Sequence, residues 1–180
     1  MSTDTLEASE TVALQAAAAT PAAVGPATSP DRTGGIHEFL TFRLGGEEYG
    51  IDILRVQEIR SFETCTHIAN APPFILGVIN LRGVIVPIID MRLRFQFDHA
   101  VEDDSTVTIV LALEKCVVGI VVDAVSDVIT LSRDQMRQAP EFSSAVDSKH
   151  ILAIGTVEQR MLILIDIVKL MAGPGMGLQD

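Results

Sequence analysis

The sequence predicts an all-β protein built from two small closed barrels packed around a shared apolar core. Three observations predict it. Apolar residues alternate with polar ones on either side of tight turns. Two short strands are apolar on both faces. One β pattern occurs twice along the chain.

The first hairpin lies in "EFLTFRLGGEEYGID", residues 38–52. Leu40, Phe42 and Leu44 fall on one face, Gly45-Gly46 makes a tight turn, and Tyr49 and Ile51 continue on the return strand. "STVTIVLALEKCVVGIVVD" repeats this plan, with Glu114-Lys115 at the hairpin tip. "GVIVPIID" and "RMLILID" are short and apolar on both faces, as strands walled in on two sides must be. Pro87 cannot donate to a ladder, so an edge or a bulge is expected there. Helical period is confined to Ser132–Gln138 and Ile167–Met171.

The repeat has three parts in one order. "GIDILRVQEI" (50–59) matches "GIVVDAVSDV" (119–128), with the acid at Glu58 or Asp127. "APPF" (71–74) matches "APEF" (139–142), and "IVPIID" (85–90) matches "MLILID" (161–166). The copies differ where the first has "NLRG" and the second "TVEQR". The shared part reads as scaffold and the differing part as the place for specialised function. A β unit this small is expected to close on itself rather than leave edges bare.

Composition removes several function classes. The 180 residues carry a net charge of −11, which opposes a nucleic-acid face and provides no polybasic patch for an anionic membrane. There is no Trp and one Tyr, so stacking aromatics for single strands are lacking too. Cys65 and Cys116 suit free thiols in a reducing compartment, and the sequence leaves a disulfide open. The start, "MSTDTLEASE", lacks the positive region of a signal peptide, and no apolar run is long enough to span a bilayer. A cytoplasmic protein is expected. Residues 1–35, rich in Ala, Thr and Pro, are expected to be a disordered tail, with a domain over 36–172 and a flexible end over 173–180.

No catalytic or metal-binding constellation stands out. His37, His67, His99 and His150 are isolated and read as surface or loop residues. Asp52, Asp90, Asp123 and Asp166 end apolar strands. Two of them facing one cleft would suit acid–base work, but turn hydrogen bonding is the stronger reading. No enzyme, cofactor or metal is expected.

One residue stands out in "VINLRGVIVPIID" (78–90). Arg82 sits in an apolar run, where a buried charge would need a partner; it is expected at a rim rather than inside, with Glu58 beside it as its partner. Gly83 is expected to let the chain pass close behind it.

The blocks "EEYGIDILRVQEI", "IANAPPFILGVINLRGVIVPIIDMR", "VVGIVVDAVSDV" and "RQAPEF" resemble the CheW family of bacterial chemotaxis coupling proteins over about residues 38–171. The related domain at the end of the chemotaxis histidine kinase has the same pattern. Without kinase segments around it, the chain is expected to be the free adaptor. The resemblance implies two five-stranded SH3-like β-barrels with short helices, and no catalysis. It implies two partners, the regulatory domain of a histidine kinase and the cytoplasmic helical tip of a methyl-accepting chemoreceptor, with recruitment to membrane receptor arrays. By the same resemblance, receptor contact falls in a groove between the barrels at Ile53, Val56, Glu58, Arg82 and Val107. Kinase contact falls at Val128, Arg137, Glu141 and Phe142, and Asn80 and Gly83 belong to the shared motif. Ile53, Val56 and Val107 read equally well as barrel core, and so does Phe142, whose counterpart is Phe74.

Overall fold

The computed structural model describes residues 35–97, 103–140, 146–173 and 176. Apart from Gly35, the expected N-terminal tail lies outside these residues, as does most of 173–180. The strands are β1 (His37–Leu44), β2 (Glu47–Asp52), β3 (Val56–Ser61), β4 (Ile75–Leu81), β5 (Val84–Asp90), β6 (Val107–Ala112), β7 (Val117–Val122), β8 (Ala124–Leu131), β9 (Met136–Arg137), β10 (Ile151–Val157) and β11 (Arg160–Ile165). Two short helices follow the apolar strands, α1 (Met91–Arg94) after β5 and α2 (Ile167–Met171) after β11. Each starts at a strand-end acid: Asp90 accepts from Arg92 N and Asp166 from Lys169 N. Asp52 caps a 3₁₀ turn at Ile53–Arg55 in the same way. The strand-end acids therefore take the turn-bonding role. The sequence pattern foresaw α2 and missed α1, which is too short to show a period.

The strands form two sheets, β3-β6-β7-β5-β4 (barrel I) and β8-β1-β2-β11-β10-β9 (barrel II). They are the two five-stranded SH3-like units, the second extended by the two-residue β9. Each unit closes through the segment that follows its edge strand. In barrel I, Thr66 exchanges two 2.9 Å hydrogen bonds with Val78 of β4. In barrel II, β9 pairs Met136 and Arg137 with Gly155 and Ile154 of β10.

The two copies of the repeat do not fold as two separate barrels. They exchange hairpins. The hairpin β1–β2, from the first copy, completes barrel II by pairing β2 parallel to β11; the hairpin β6–β7, from the second copy, completes barrel I by pairing β7 parallel to β5. The glycine of the repeated Gly-Ile pair marks both junctions. A Cβ on Gly50 would stand 2.8 Å from Leu164, and one on Gly119 2.6 Å from Ile88. In each case the side chain of the parallel partner occupies the space the glycine leaves.

This arrangement explains the doubly apolar strands. Ile89 of β5 and Ile165 of β11 face the core shared by the barrels, with Leu40, Phe42, Tyr49, Ile109 and Ile120. The alternate residues fill the barrels themselves: Val86 and Ile88 with Val110 and Val121 in barrel I, and Leu162 and Leu164 with Phe39 and Leu131 in barrel II. Period-2 side-chain alternation thus builds three layers of core from single strands.

Three expectations are corrected. Pro87 lies in β5, which has neighbours on both sides. It is tolerated because the ladder to β7 begins one residue later, at Ile88, and because Val78, its partner on β4, spends its N–H and C=O on Thr66. Ser132–Gln138 is not helical: a 3₁₀ turn over Arg133–Gln135, with a Ser132/Gln135 capping box, leads into β9. His150 is buried rather than a surface residue, because the 3₁₀ turn at Ser148–His150 packs inward.

A different arginine, Arg92, is buried, at 2% exposed. Its Nε and Nη2 donate to the two oxygens of Asp90 at 3.0 and 2.9 Å, and its Nη1 to Asp123 at 3.3 Å. Asp123 separates β7 of barrel I from β8 of barrel II, and it also accepts from Gly45 N in the β1–β2 turn at 2.8 Å.

Two outcomes follow from this construction. Asp90→Ala leaves a buried guanidinium without its main partner and should cost about 3–5 kcal/mol in urea denaturation; a loss below about 1 kcal/mol would show that Asp90 is not what holds Arg92 in place. Residues 36–97 and 103–173, expressed separately, should each lack cooperative melting, and mixing them should restore it, because neither half holds a complete barrel. Cooperative folding of either half alone would contradict the hairpin exchange.

Candidate functional site

The two-residue turn between β4 and β5 consists of Arg82 and Gly83, with φ of +52° and +85°. Both angles are left-handed, as a tight hairpin of this kind requires. Gly83 supplies its conformation freely, whereas an arginine there is strained by about 1–2 kcal/mol. The role expected for Gly83 is corrected: nothing lies within 4 Å of its Cβ position, so it serves the turn rather than a close passage. Asn80 fixes the turn by accepting from Gly83 N at 2.8 Å.

The strained residue is aimed outward. Arg82 is 72% exposed at its side chain, and its Nη2 meets Oε2 of Glu58 on β3 at 2.9 Å. Glu58 also receives Nη1 of Arg60 at 3.4 Å. The exposed apolar residues Val84 and Ile85 follow on β5. The guanidinium therefore holds one carboxylate and keeps other donors facing solvent.

The repeat supplies a comparison within the molecule. Asp127 of β8 stands where Glu58 stands in β3, next to a bulge in each strand. Its arginine partner is Arg160, at the start of β11, which donates to Asp127 through Nη1 and Nη2 at 3.2 Å each. Arg160 also bridges to Glu48, through Nε at 3.0 Å and Nη2 at 2.9 Å, while Thr41 donates to Asp127. The hydrogen bonds from Arg160 hold both carboxyls below their usual range, and those carboxylates raise the guanidinium in turn. Arg160 is spent on two carboxylates; Arg82 has one. This second network was missed. The aligned acid Asp127 and the "TVEQR" difference between the copies were the marks that point to it.

The remaining positions divide. Ile53, Val56 and Val107 are half-buried against the shared core. Register puts Val56 opposite Leu111 and Val107 opposite Val122 on the shared-core face, but Glu58 opposite Val110, a residue of the barrel I interior. The bulge between Val56 and Glu58 makes that change of face. The structure thus brings Glu58 and Arg82 together and sets Val56 and Val107 on the other face of their strands, with Ile53 in the 3₁₀ turn before β3. Val128, beside Asp127, is 52% exposed on β8. Arg137 is exposed on β9 opposite Ile154, not at a helix end. Glu141 and Phe142 lie outside the described residues. Phe74, the counterpart of Phe142, packs half-buried on the shared core under the Arg94 guanidinium, 5.4 Å from its ring centre.

Among the described residues no group of three or more His, Cys, Asp or Glu is placed to hold a metal ion, and no helix is long and apolar enough to cross a membrane.

A left-handed position relaxes when glycine occupies it. Arg82→Gly should therefore keep the unfolding free energy from urea denaturation within about 1 kcal/mol of the parent, since the exposed ion pair it removes contributes about 0–1 kcal/mol. Arg82→Val, β-branched at the same φ, should lose about 1–2 kcal/mol. Equal stability of the two variants would mean that the turn is not strained.

Comparison with known proteins agrees with this architecture. The family described as "CheW-like domain" matches residues 38–174. The chain is 54% identical to the Chemotaxis protein CheW of Klebsiella aerogenes over 143 residues, which span 79% of this chain and 86% of that protein. It is 34% identical to the Chemotaxis protein CheW of Bacillus subtilis over 139 residues, 77% of this chain and 88% of that protein. Among solved structures, the scaffolding protein TtCheW from Thermoanaerobacter tengcongensis superposes with a TM-score of 0.72 at 28% identity, covering 82% of this chain and 96% of that one. With its two hairpin-exchanged barrels and a family match over nearly all the described residues, the chain belongs to the CheW-like domain family.

Proposed function

We propose that this chain is a non-enzymatic scaffold that couples a methyl-accepting chemoreceptor to a chemotaxis histidine kinase, working in the cytoplasm and recruited to membrane receptor arrays. The observation that carries the reading is Arg82. A charged residue held in a strained backbone conformation, with one carboxylate partner and exposed donors, is a recognition device rather than a stabilising one. A helical receptor tip offers carboxylates and carbonyls for those donors; Ile53, Val56 and Val107, half-buried on the shared-core side, join the receptor contact through the family resemblance alone. The saturated Arg160 network of barrel II, beside exposed Val128, gives that barrel a different surface; the kinase is received by Val128 and Arg137 there, together with Glu141 and Phe142 of the same repeat. The strand-end carboxylates are occupied as caps and ion-pair partners, which fits a chain that assembles proteins rather than transforming a substrate.

Two variants test the division of labour. Arg82→His should weaken binding to a receptor tip at least tenfold in titration, with kinase-domain binding and the melting temperature little changed. Phe142→Ser should do the reverse, since an apolar interface anchor contributes about 2 kcal/mol or more. Equal loss of both partners in either variant, or collapse of the melt, would assign that residue to the scaffold instead.

A further inference from the structure

Among the described residues, two buried side-chain nitrogens lack a hydrogen-bond partner, Nε of Arg94 and Nδ1 of His150. They belong to one place in the fold. A Cβ on Gly173 would lie 3.8 Å from Nη2 of Arg94 and 3.9 Å from Cε1 of His150. Arg94 ends α1, His150 ends the turn before β10, and Gly173 follows α2. His150 is 7% exposed. Its carbonyl accepts from Asp166 N, the cap residue of α2, at 2.9 Å. One residue therefore serves both ends of α2: its backbone bonds the cap at the start, and its ring lies near Gly173 beyond the finish. α2 in turn buries Ile167, Leu170 and Met171 in the shared core.

The charges around the ring come from three elements. Arg94 faces it from α1, Lys149 and Asp147 from its own turn, and Asp166 from the cap of α2. Both acids are engaged elsewhere: Asp147 with Lys149 at 2.7 Å, and Asp166 with Lys169, through the backbone N at 3.1 Å and Nζ at 3.6 Å. Neither is hydrogen-bonded to the buried Nδ1. A proton on that nitrogen would add a positive charge close to Arg94 with no acceptor for it.

We propose that His150 is an acid-sensitive latch: the neutral ring lets α2 dock on the shared core, and the protonated ring releases it. Burial first, and then Lys149, holds the imidazole below its ordinary range; Asp147 opposes this, Arg94 adds to it and Asp166 opposes it. The folded state thus favours the neutral ring. Docking is complete above the unfolded-state value of about 6.5 and weakens as pH falls below it.

The test is hydrogen exchange on the full chain, expressed as protection factors so that the chemical pH dependence cancels. Between pH 7.5 and 5.5 the amides of Leu170 and Ala172, which close α2, should lose at least fivefold more protection than those of β6 and β7. His150→Gln should abolish that difference. Arg94→Gln keeps the ring, removes the nearby cation and should reduce the difference; it decides the matter if His150→Gln does not fold. Loss spread evenly over all strands, unchanged acid sensitivity in the foldable variants, or a His150 ring titrating at or above 6.5 by NMR would each overturn the latch.

Discussion

A buried guanidinium holds the crossing point of the two barrels. Arg92 comes from α1, just after the last strand of the first repeat, and pairs with Asp90 beside it and with Asp123 far along the chain. Asp123 is the residue at which the chain leaves barrel I for barrel II, and its other oxygen holds the turn of the exchanged hairpin. A buried ion pair gives little net stability against an apolar substitute, but it tolerates few alternative geometries. Apolar faces of the two barrels could slide against each other; a bidentate pair with a third ligand cannot. The shared core packs around that fixed point.

Hairpin exchange makes the duplicated chain one folding unit. Each barrel needs strands from both repeats, so a change at the β2–β11 or β5–β7 junction is felt by both. The exchange also brings a carboxylate from an edge strand to a hairpin end in each barrel, where an arginine meets it: Arg82 from the turn itself in barrel I, and Arg160, the residue after the turn, in barrel II. There the two copies have diverged. Barrel II surrounds its arginine with Glu48 and Asp127, forming a closed network. Barrel I leaves Arg82 with Glu58 and solvent. Equivalent scaffolds with unequal saturation of one cation provide two unlike surfaces at little cost to the fold.

Part of this site was legible in the sequence. Glu58 and Arg82 could be paired because an arginine in an apolar run needs an acid, and the repeat marked Glu58 as an aligned acid. Arg82 was expected at a rim rather than inside, and its side chain is exposed; what could not be read was the left-handed turn that lifts it out, because φ is not written in the residue type. Arg92 was hidden, because its neighbour Asp90 looked like an ordinary strand-end acid. The face reversal between Val56 and Glu58 was also hidden, since one bulged residue moves every later side chain to the opposite side.

The sequence by itself determined the β class, the strands and their turns, the doubly apolar strands and the duplication, because these rest on local periodicity and on the conformational limits of Gly and Pro. It also carried the family, through blocks that keep their order. Only the tertiary structure decided that the repeats trade hairpins, that Pro87 sits inside a sheet, that His150 and Arg94 come close beside Gly173, and which arginine is buried. Each of these depends on partners distant in sequence, and a periodic pattern states that a face must be covered without stating which segment covers it.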